Sequence, residues 1–315
     1  MARVLVTRHV PDGGLDPLEA AGHELVRRAV DTPMTPDELV EAAASVDGIV
    51  CLLTDRVDEA VLAAGAGRLR VVANVAVGYD NIDVAAATRL GVAVCNTPGV
   101  LDETTADLAF LLILAASRLA SESERDLRAG DWKGWGINQY LGEDVHAAVL
   151  GLVGFGRIGR AVARRAEGFA MEVLHHSRAD TGLPGYTAEL EDLLERSDVV
   201  SIHVPLTEHS RAMIGAAELA RMKPSAVLVN TSRGPVVDES ALADALHAGR
   251  LFAAGLDVYQ DEPAVHPRLL DAPRTVLLPH IGSATRATRT RMARVACSGV
   301  CDVLAGHRPA NLVSG

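Results

Sequence analysis

Short apolar runs recur along this chain and alternate with stretches whose apolar residues return every three or four positions. Residues 3–7, 24–26, 48–53, 69–74 and 92–95 read as strands, with helices at 15–21 and 36–42 between them. Gly22 stops the first helix, and Pro36 opens the second with Asp37 and Glu38 set against the positive end of its dipole. Asn96-Thr97-Pro98-Gly99 reads as a crossing into a second series, which begins with a helix from Asp102 that runs apolar to about Leu119. Strands then fall at 149–153, 171–174, 198–204, 226–230, 253–258 and 275–278, with helices at 160–166 and 190–194 and a last helix at 286–305 that returns to the first series. Most of these runs are continuously apolar, as strands buried on both faces are. The pattern therefore predicts α/β architecture with two doubly wound parallel sheets, each flanked by helices.

One junction carries more than packing information. The run ending at Val153 passes at once into Gly154-Phe155-Gly156-Arg157-Ile158-Gly159 and then into a helix. Glycine at the first position permits a tight turn, at the second lets the backbone approach a pyrophosphate, and at the third lets helix and strand pack closely. The helix start adds free N–H groups for an anion. The next strand ends in His175-His176-Ser177-Arg178, near where an NAD site would place an acid for the ribose hydroxyl. No carboxylate stands there. Arg178 offers a planar fork suited to a 2′-phosphate, with Ser177 and His176 as polar contacts, so NADP(H) is expected over NAD(H). Asp180 is an alternative ribose ligand and keeps NAD open.

Composition narrows the rest. At 315 residues with 49% hydrophobic and 3% aromatic content, the chain can fill two aliphatic cores. A formal charge of −11 argues against nucleic acid or an acidic membrane as a partner. Cys51, Cys95, Cys297 and Cys301 show no Cys-x-x-Cys spacing, and no metal site is expected from them. Nothing near Met1 resembles a signal segment and no apolar run is long enough to span a bilayer, so a reduced cytoplasmic setting is expected. Trp132 and Trp135 lie in a polar, glycine-dotted stretch at 125–147, where docking on a partner subunit and burial in the chain itself compete evenly.

Arg233, Asp257, Glu262 and His280 each follow a strand of the second series, where an open parallel sheet places its ligands. A histidine beside a carboxylate has its charged form stabilised and can give a proton to a developing alkoxide. An arginine can hold a carboxylate and polarise the neighbouring carbonyl. In the first series, the loop 74–83 follows a strand, so Val77 and Gly78 are candidate N–H donors to a substrate carboxylate.

Taken together, Leu152 to Gly159, Val229-Asn230-Thr231-Ser232-Arg233-Gly234 with Val237-Asp238-Glu239, Gly255-Leu256-Asp257-Val258, Glu262-Pro263 and Leu278-Pro279-His280-Ile281-Gly282-Ser283 resemble, in this order, the D-isomer-specific 2-hydroxyacid dehydrogenases across the whole chain. The 75–80 loop, the Thr104-Thr105-Ala106-Asp107 helix start and the Ser177-Arg178 pair are most similar to the glyoxylate/hydroxypyruvate reductase branch. The resemblance implies a Rossmann nucleotide domain at 101–285 and a smaller flavodoxin-like substrate domain built from 1–100 and 286–315, with a cleft between them. It implies Arg233, Glu262 and His280 as the catalytic trio, with Glu262 orienting His280. Val77 and Gly78 would join Arg233 and His280 in binding a small 2-oxo or 2-hydroxy acid. Thr105, Gly154, Phe155, Gly156, Arg157, Ile158, Gly159, His176, Ser177, Arg178, Val204, Pro205, Thr231, Ser232, Asp257 and Gly282 would contact NADP or NAD, Asp257 through the nicotinamide amide. The implied activity is NADPH-dependent reduction of glyoxylate and hydroxypyruvate by a homodimer. D-lactate or another D-2-hydroxyacid as substrate, and a nucleotide-sensing protein without turnover, are the alternatives.

Overall fold

The computed structural model describes residues 1–313. Its chain packs as two units, residues 1–101 with the segment from Ser283 onward, and residues 102–282.

In the first unit β1 (Arg3–Val6), β2 (Glu24–Arg27), β3 (Gly48–Cys51), β4 (Val71–Asn74) and β5 (Ala93–Cys95) form an all-parallel sheet in the order β2-β1-β3-β4-β5. This is the flavodoxin-like order expected. Helices at Glu59–Ala64 and Val84–Arg89, which the apolar pattern alone did not reveal, cover part of it. Both are short, and their starts are fixed by Asp58 and Asp83, whose carboxylates accept N–H groups of the first turn. The last helix, Arg286–Leu304, packs on β3 and β4 and so belongs to this unit.

The second unit is a six-stranded parallel sheet. It comprises β6 (Val149–Val153), β7 (Glu172–His176), β8 (Val199–Ile202), β9 (Val227–Asn230), β10 (Ala253–Leu256) and β11 (Thr275–Leu277). Their order is β11-β10-β9-β8-β6-β7, so after β7 the chain crosses β6 to continue on its other side. That reversal puts a crevice at the carboxyl ends of β6 and β8. The strands are buried on both faces because helices cover both. On one face the helix Asp102–Ser117 lies so close that a Cβ on Gly255 would come within 2.9 Å of the Leu112 Cβ. Beside it runs the helix Arg157–Glu167, tied to it by Arg165, which pairs with Glu103 at 2.9 Å and with Asp107 at 2.5 Å. The opposite face packs Val153, Ile202, Leu228 and Leu242 into its own core.

The helix from Asp102 stops at Ser117, because Leu119 adopts a left-handed φ of 52° and redirects the chain into a further helix, Ala120–Ala129. The first residues of the 125–147 stretch are therefore helical rather than loop. Among the described residues no single helix is long and apolar enough to cross a membrane.

Candidate active site

At the end of β6 the chain turns through Gly154 at φ 96°, where a Cβ would stand 2.6 Å from the carbonyl oxygen of His203. A Cβ on Gly159 would lie 2.3 Å from the oxygen of Gly154, whereas Gly156 faces open space. Gly154 and Gly159 thus meet the steric constraints read from the sequence, and Gly156 leaves its side of the turn open. No side chain caps the helix that follows, so the N–H groups of its first turn are left for an incoming anion. Arg157 begins that helix and is exposed, with Ile158 half-buried beside it.

Beyond β7, His176 Nδ1 lies 3.2 Å from the Thr187 carbonyl, and the Ser177 hydroxyl donates to Ala179 O at 2.8 Å. Arg178 is exposed. Asp180, the alternative ribose ligand, accepts the N–H of Gly182 at 2.8 Å and so closes its own turn. Val204 and Pro205 leave β8 behind His203, whose ring contacts the Ser201 hydroxyl at 2.9 Å. Burial lowers the His203 imidazole to about 4, so it is neutral at ordinary pH.

β9 delivers Thr231, Ser232 and Arg233. Asn230, fully buried, holds their loop: its oxygen accepts the N–H and hydroxyl of Ser232 at 3.0 and 2.9 Å, and its nitrogen donates to Arg233 O at 2.9 Å. Arg233 Nη1 donates to Ser232 O at 2.8 Å, which bends the guanidinium back over its own loop. Gly234 follows because nothing larger fits. A Cβ there would stand 1.8 Å from the Tyr259 carbonyl carbon.

β10 and β11 supply the rest. His280 Nδ1 donates to Glu262 Oε2 at 2.8 Å, and Glu262 Oε1 accepts the Tyr259 N–H at 3.0 Å. Burial pushes the Glu262 carboxyl up, but the His280 hydrogen bond and charge, the Tyr259 N–H and nearby Arg233 outweigh it and hold the group below the ordinary glutamate range. The structure therefore brings Glu262 and His280 into direct contact, with the Arg233 charge near enough to help hold the Glu262 carboxyl down. His280 Nε2 has no partner among the described residues.

His280 sits at a left-handed φ of 54°, a conformation that costs energy unless its neighbours hold it. Asp257 holds it with three bonds. Its carbonyl accepts the His280 N–H at 2.9 Å, and its two carboxylate oxygens accept the N–H groups of Ile281 and Gly282 at 2.7 and 2.8 Å. Burial raises the Asp257 carboxyl above the ordinary aspartate range, with Glu262 adding to that, against the pull of the Ile281 N–H, His280 and the Gly282 N–H. The Tyr259 hydroxyl donates to Leu278 O at 2.9 Å, fixing the path two residues before His280. Sequence reading did not find the roles of Asn230 and Tyr259. Asn230, between a strand and two hydroxyl residues, has the side chain for a turn, whereas nothing local distinguishes Tyr259 from a core aromatic.

A glycine cradle with backbone crowding at two positions and room at the third, an uncapped helix start and a buried Thr231 hydroxyl without a hydrogen-bond partner fit a bound dinucleotide. Thr105 and Asp257 lie beside Gly282, within 3.5 Å of where its Cβ would be. Val77 and Gly78 lie in the first unit, their carbonyls fastened by the amide nitrogens of Asn96 and Asn74, both at 2.8 Å.

Residues 110–282, which include nearly all of this constellation, match the model of the D-isomer specific 2-hydroxyacid dehydrogenase NAD binding domain. The chain belongs to that family. A glyoxylate reductase from Korarchaeum cryptofilum is 47% identical over 320 residues, covering 99% of this chain and 96% of the relative. Among solved structures of similar fold, the TT0316 protein of Thermus thermophilus is 43% identical with a TM-score of 0.93, over 99% of this chain and all of the other. An NADPH-dependent glyoxylate/hydroxypyruvate reductase from Sinorhizobium meliloti is 33% identical with a TM-score of 0.85, over 100% of this chain and 98% of the other. As a 2-hydroxyacid dehydrogenase the chain has an NAD(P)-binding domain and a small 2-oxo or 2-hydroxy acid as substrate. Among the described residues no cluster of His, Cys, Asp or Glu could hold a metal ion, and the four cysteines are free.

Proposed function

We propose that this chain is an NADPH-preferring reductase that converts glyoxylate to glycolate and hydroxypyruvate to D-glycerate. The observation that carries the reading is the 2.8 Å bond from His280 Nδ1 to Glu262, which leaves Nε2 unpartnered at the end of a strand in a dinucleotide-binding sheet. With Nδ1–H committed to the carboxylate, the proton on Nε2 of the charged ring is the one available to an acceptor. Arg233 grips the substrate carboxylate and draws electron density from the adjacent carbonyl. A reduced nicotinamide cofactor, held at the glycine turn and the uncapped helix start, would supply the hydride. The carbonyl oxygen, becoming an alkoxide, takes the proton from Nε2, and the carboxylate of Glu262 keeps the ring oriented throughout.

Arg178, exposed beside a turn whose one carboxylate is occupied by Gly182, supports a 2′-phosphate over a free ribose hydroxyl. The S. meliloti structure, of a reductase described as NADPH-dependent, supports the same reading. A second copy of this chain would cover the apolar side chains of Leu127, Trp132, Trp135, Ile137 and Leu141, all exposed, with Trp135 at 80%. The reading is tested with glyoxylate, hydroxypyruvate and pyruvate against NADPH and NADH, following loss of the reduced cofactor's absorbance. Fastest turnover with glyoxylate or hydroxypyruvate and NADPH is expected. No turnover of any 2-oxo acid would overturn the activity, and equal use of NADH would overturn the preference alone.

A further inference from the structure

One buried titratable side chain has no part in the chemistry above and stands between two loops assigned to the cofactor. His175, the fourth residue of β7, is fully buried. Its ring stacks on Phe155 of the glycine turn, with centroids 3.8 Å apart and planes 18° from parallel. Its Nε2 lies 2.7 Å from the Thr181 hydroxyl, in the middle of the loop that starts with Ser177 and Arg178. Its Nδ1 has no hydrogen-bond partner.

The rest of that loop is held largely by itself. Ser177 bonds Ala179, Asp180 bonds Gly182, and Thr181 Oγ1 accepts the Leu183 N–H at 3.3 Å. Only at its far end does the backbone return to β7, where His175 N–H donates to Gly185 O and Thr187 N–H donates to His175 O, both at 2.8 Å. Between Ser177 and Gly182, the His175–Thr181 bond is the side-chain tether to the sheet among the described residues. A buried polar ring with one nitrogen unsatisfied costs stability compared with an apolar ring of similar shape. At this position the polar ring gains only the bond to Thr181.

We infer that His175 is a positioning residue for cofactor selectivity: wedged between Phe155 and Thr181, it fixes the turn that carries Ser177 and Arg178, and so sets the grip on a 2′-phosphate. This rests on the NADPH reading given above. A guanidinium discriminates between phosphate and hydroxyl only when its Cα is held, because a long side chain on a loose turn spends its binding energy on ordering itself. A ribose hydroxyl draws little on Arg178, so loosening the turn costs NADH little.

The test measures binding of NADPH and NADH by nicotinamide fluorescence, without substrate, on the full chain. His175→Phe keeps the stack on Phe155 and removes the bond. Thr181→Val removes the same bond from an exposed loop and serves should the His175 variant fail to fold. Each is expected to raise the NADPH dissociation constant about tenfold and to leave that of NADH within about twofold, with the double variant no worse than either single one. A selectivity ratio unchanged in both variants overturns the inference, as does equal weakening of both cofactors, which would make His175 merely structural. Arg178→Ala separates the two readings. If it abolishes the NADPH preference and the His175 and Thr181 variants do not, this inference alone fails. If the native protein has no preference to lose, the NADPH reading fails and takes this inference with it.

Discussion

Replacing Glu262 by Gln tests the dyad at its centre. The carboxylate accepts two N–H groups, from His280 Nδ1 at 2.8 Å and from Tyr259 at 3.0 Å. An amide has one acceptor oxygen. If that oxygen stays with Tyr259, the new NH2 faces Nδ1 and disfavours the charged ring; if it stays with His280, the NH2 meets the Tyr259 N–H donor to donor. A hydrogen bond to a charged group contributes about 1.5–3 kcal/mol, which at 1.36 kcal/mol per factor of ten is roughly a 10- to 150-fold loss in the population able to donate a proton. Loss of the acid altogether costs about a hundredfold or more. The variant should therefore reduce glyoxylate roughly 10- to 100-fold more slowly near neutral pH. The alkaline fall of kcat/KM should begin about one to two pH units lower, since reduction needs the protonated acid. The assay is a pH profile of glyoxylate reduction at saturating NADPH, with NADPH binding measured separately and expected to change little. A Gln variant within threefold of the native rate, with an unmoved profile, would refute the assignment of Glu262 as the group that orients and charges His280.

Arg233→Lys should raise KM for the 2-oxo acid and lower kcat together, because an ammonium has no planar fork to hold a carboxylate and polarise a carbonyl; steady-state kinetics with normal cofactor binding would check it. Gly234→Ala should lower the melting temperature and cripple turnover, since a Cβ 1.8 Å from the Tyr259 carbonyl carbon forces the Arg233 loop and the Glu262 loop apart, at a cost of about 1–3 kcal/mol or more. His203, held neutral down to about pH 4 against an ordinary value of 6.5, makes the unfolded chain bind a proton that the native one refuses. Stability should therefore fall by about 1.4 kcal/mol per pH unit on acidification through that window. Burial lowers His175 in the same direction. Urea unfolding of the native protein and of His203→Gln between pH 7 and 5 should show a shallower slope for the variant, and identical slopes would count against the assignment.

Much of this protein is legible in its sequence, for physical reasons that can be named. Short apolar runs rich in Val, Leu and Ile and ended by turn residues, alternating with helix-period stretches, mark strands with both faces covered, so two parallel sheets followed from the pattern. The spacing of Gly154, Gly156 and Gly159 answers to three separate steric demands, two of which the structure meets with contacts under 3 Å. Arg233, Glu262 and His280 stood out because each follows a strand, and in a parallel sheet every strand delivers its following loop to the same edge. The short helices at Glu59–Ala64 and Val84–Arg89 were hidden, since a helix of two turns has too little periodicity to stand out from a loop. The bend at Leu119 gave no warning, because a left-handed leucine is a product of its surroundings and not of its own preference.

What tertiary structure alone decided is how the site residues are held. No spacing shows that Asp257 would clamp the backbone of His280 through 282, that Tyr259 would reach across to Leu278, or that His175 would lie against Phe155 and Thr181. These contacts join residues far apart in the chain or turned onto neighbouring loops, and their partners are chosen by which strands lie side by side. The residue types that can do the chemistry are a property of the sequence. The distances that let them do it belong to the packing.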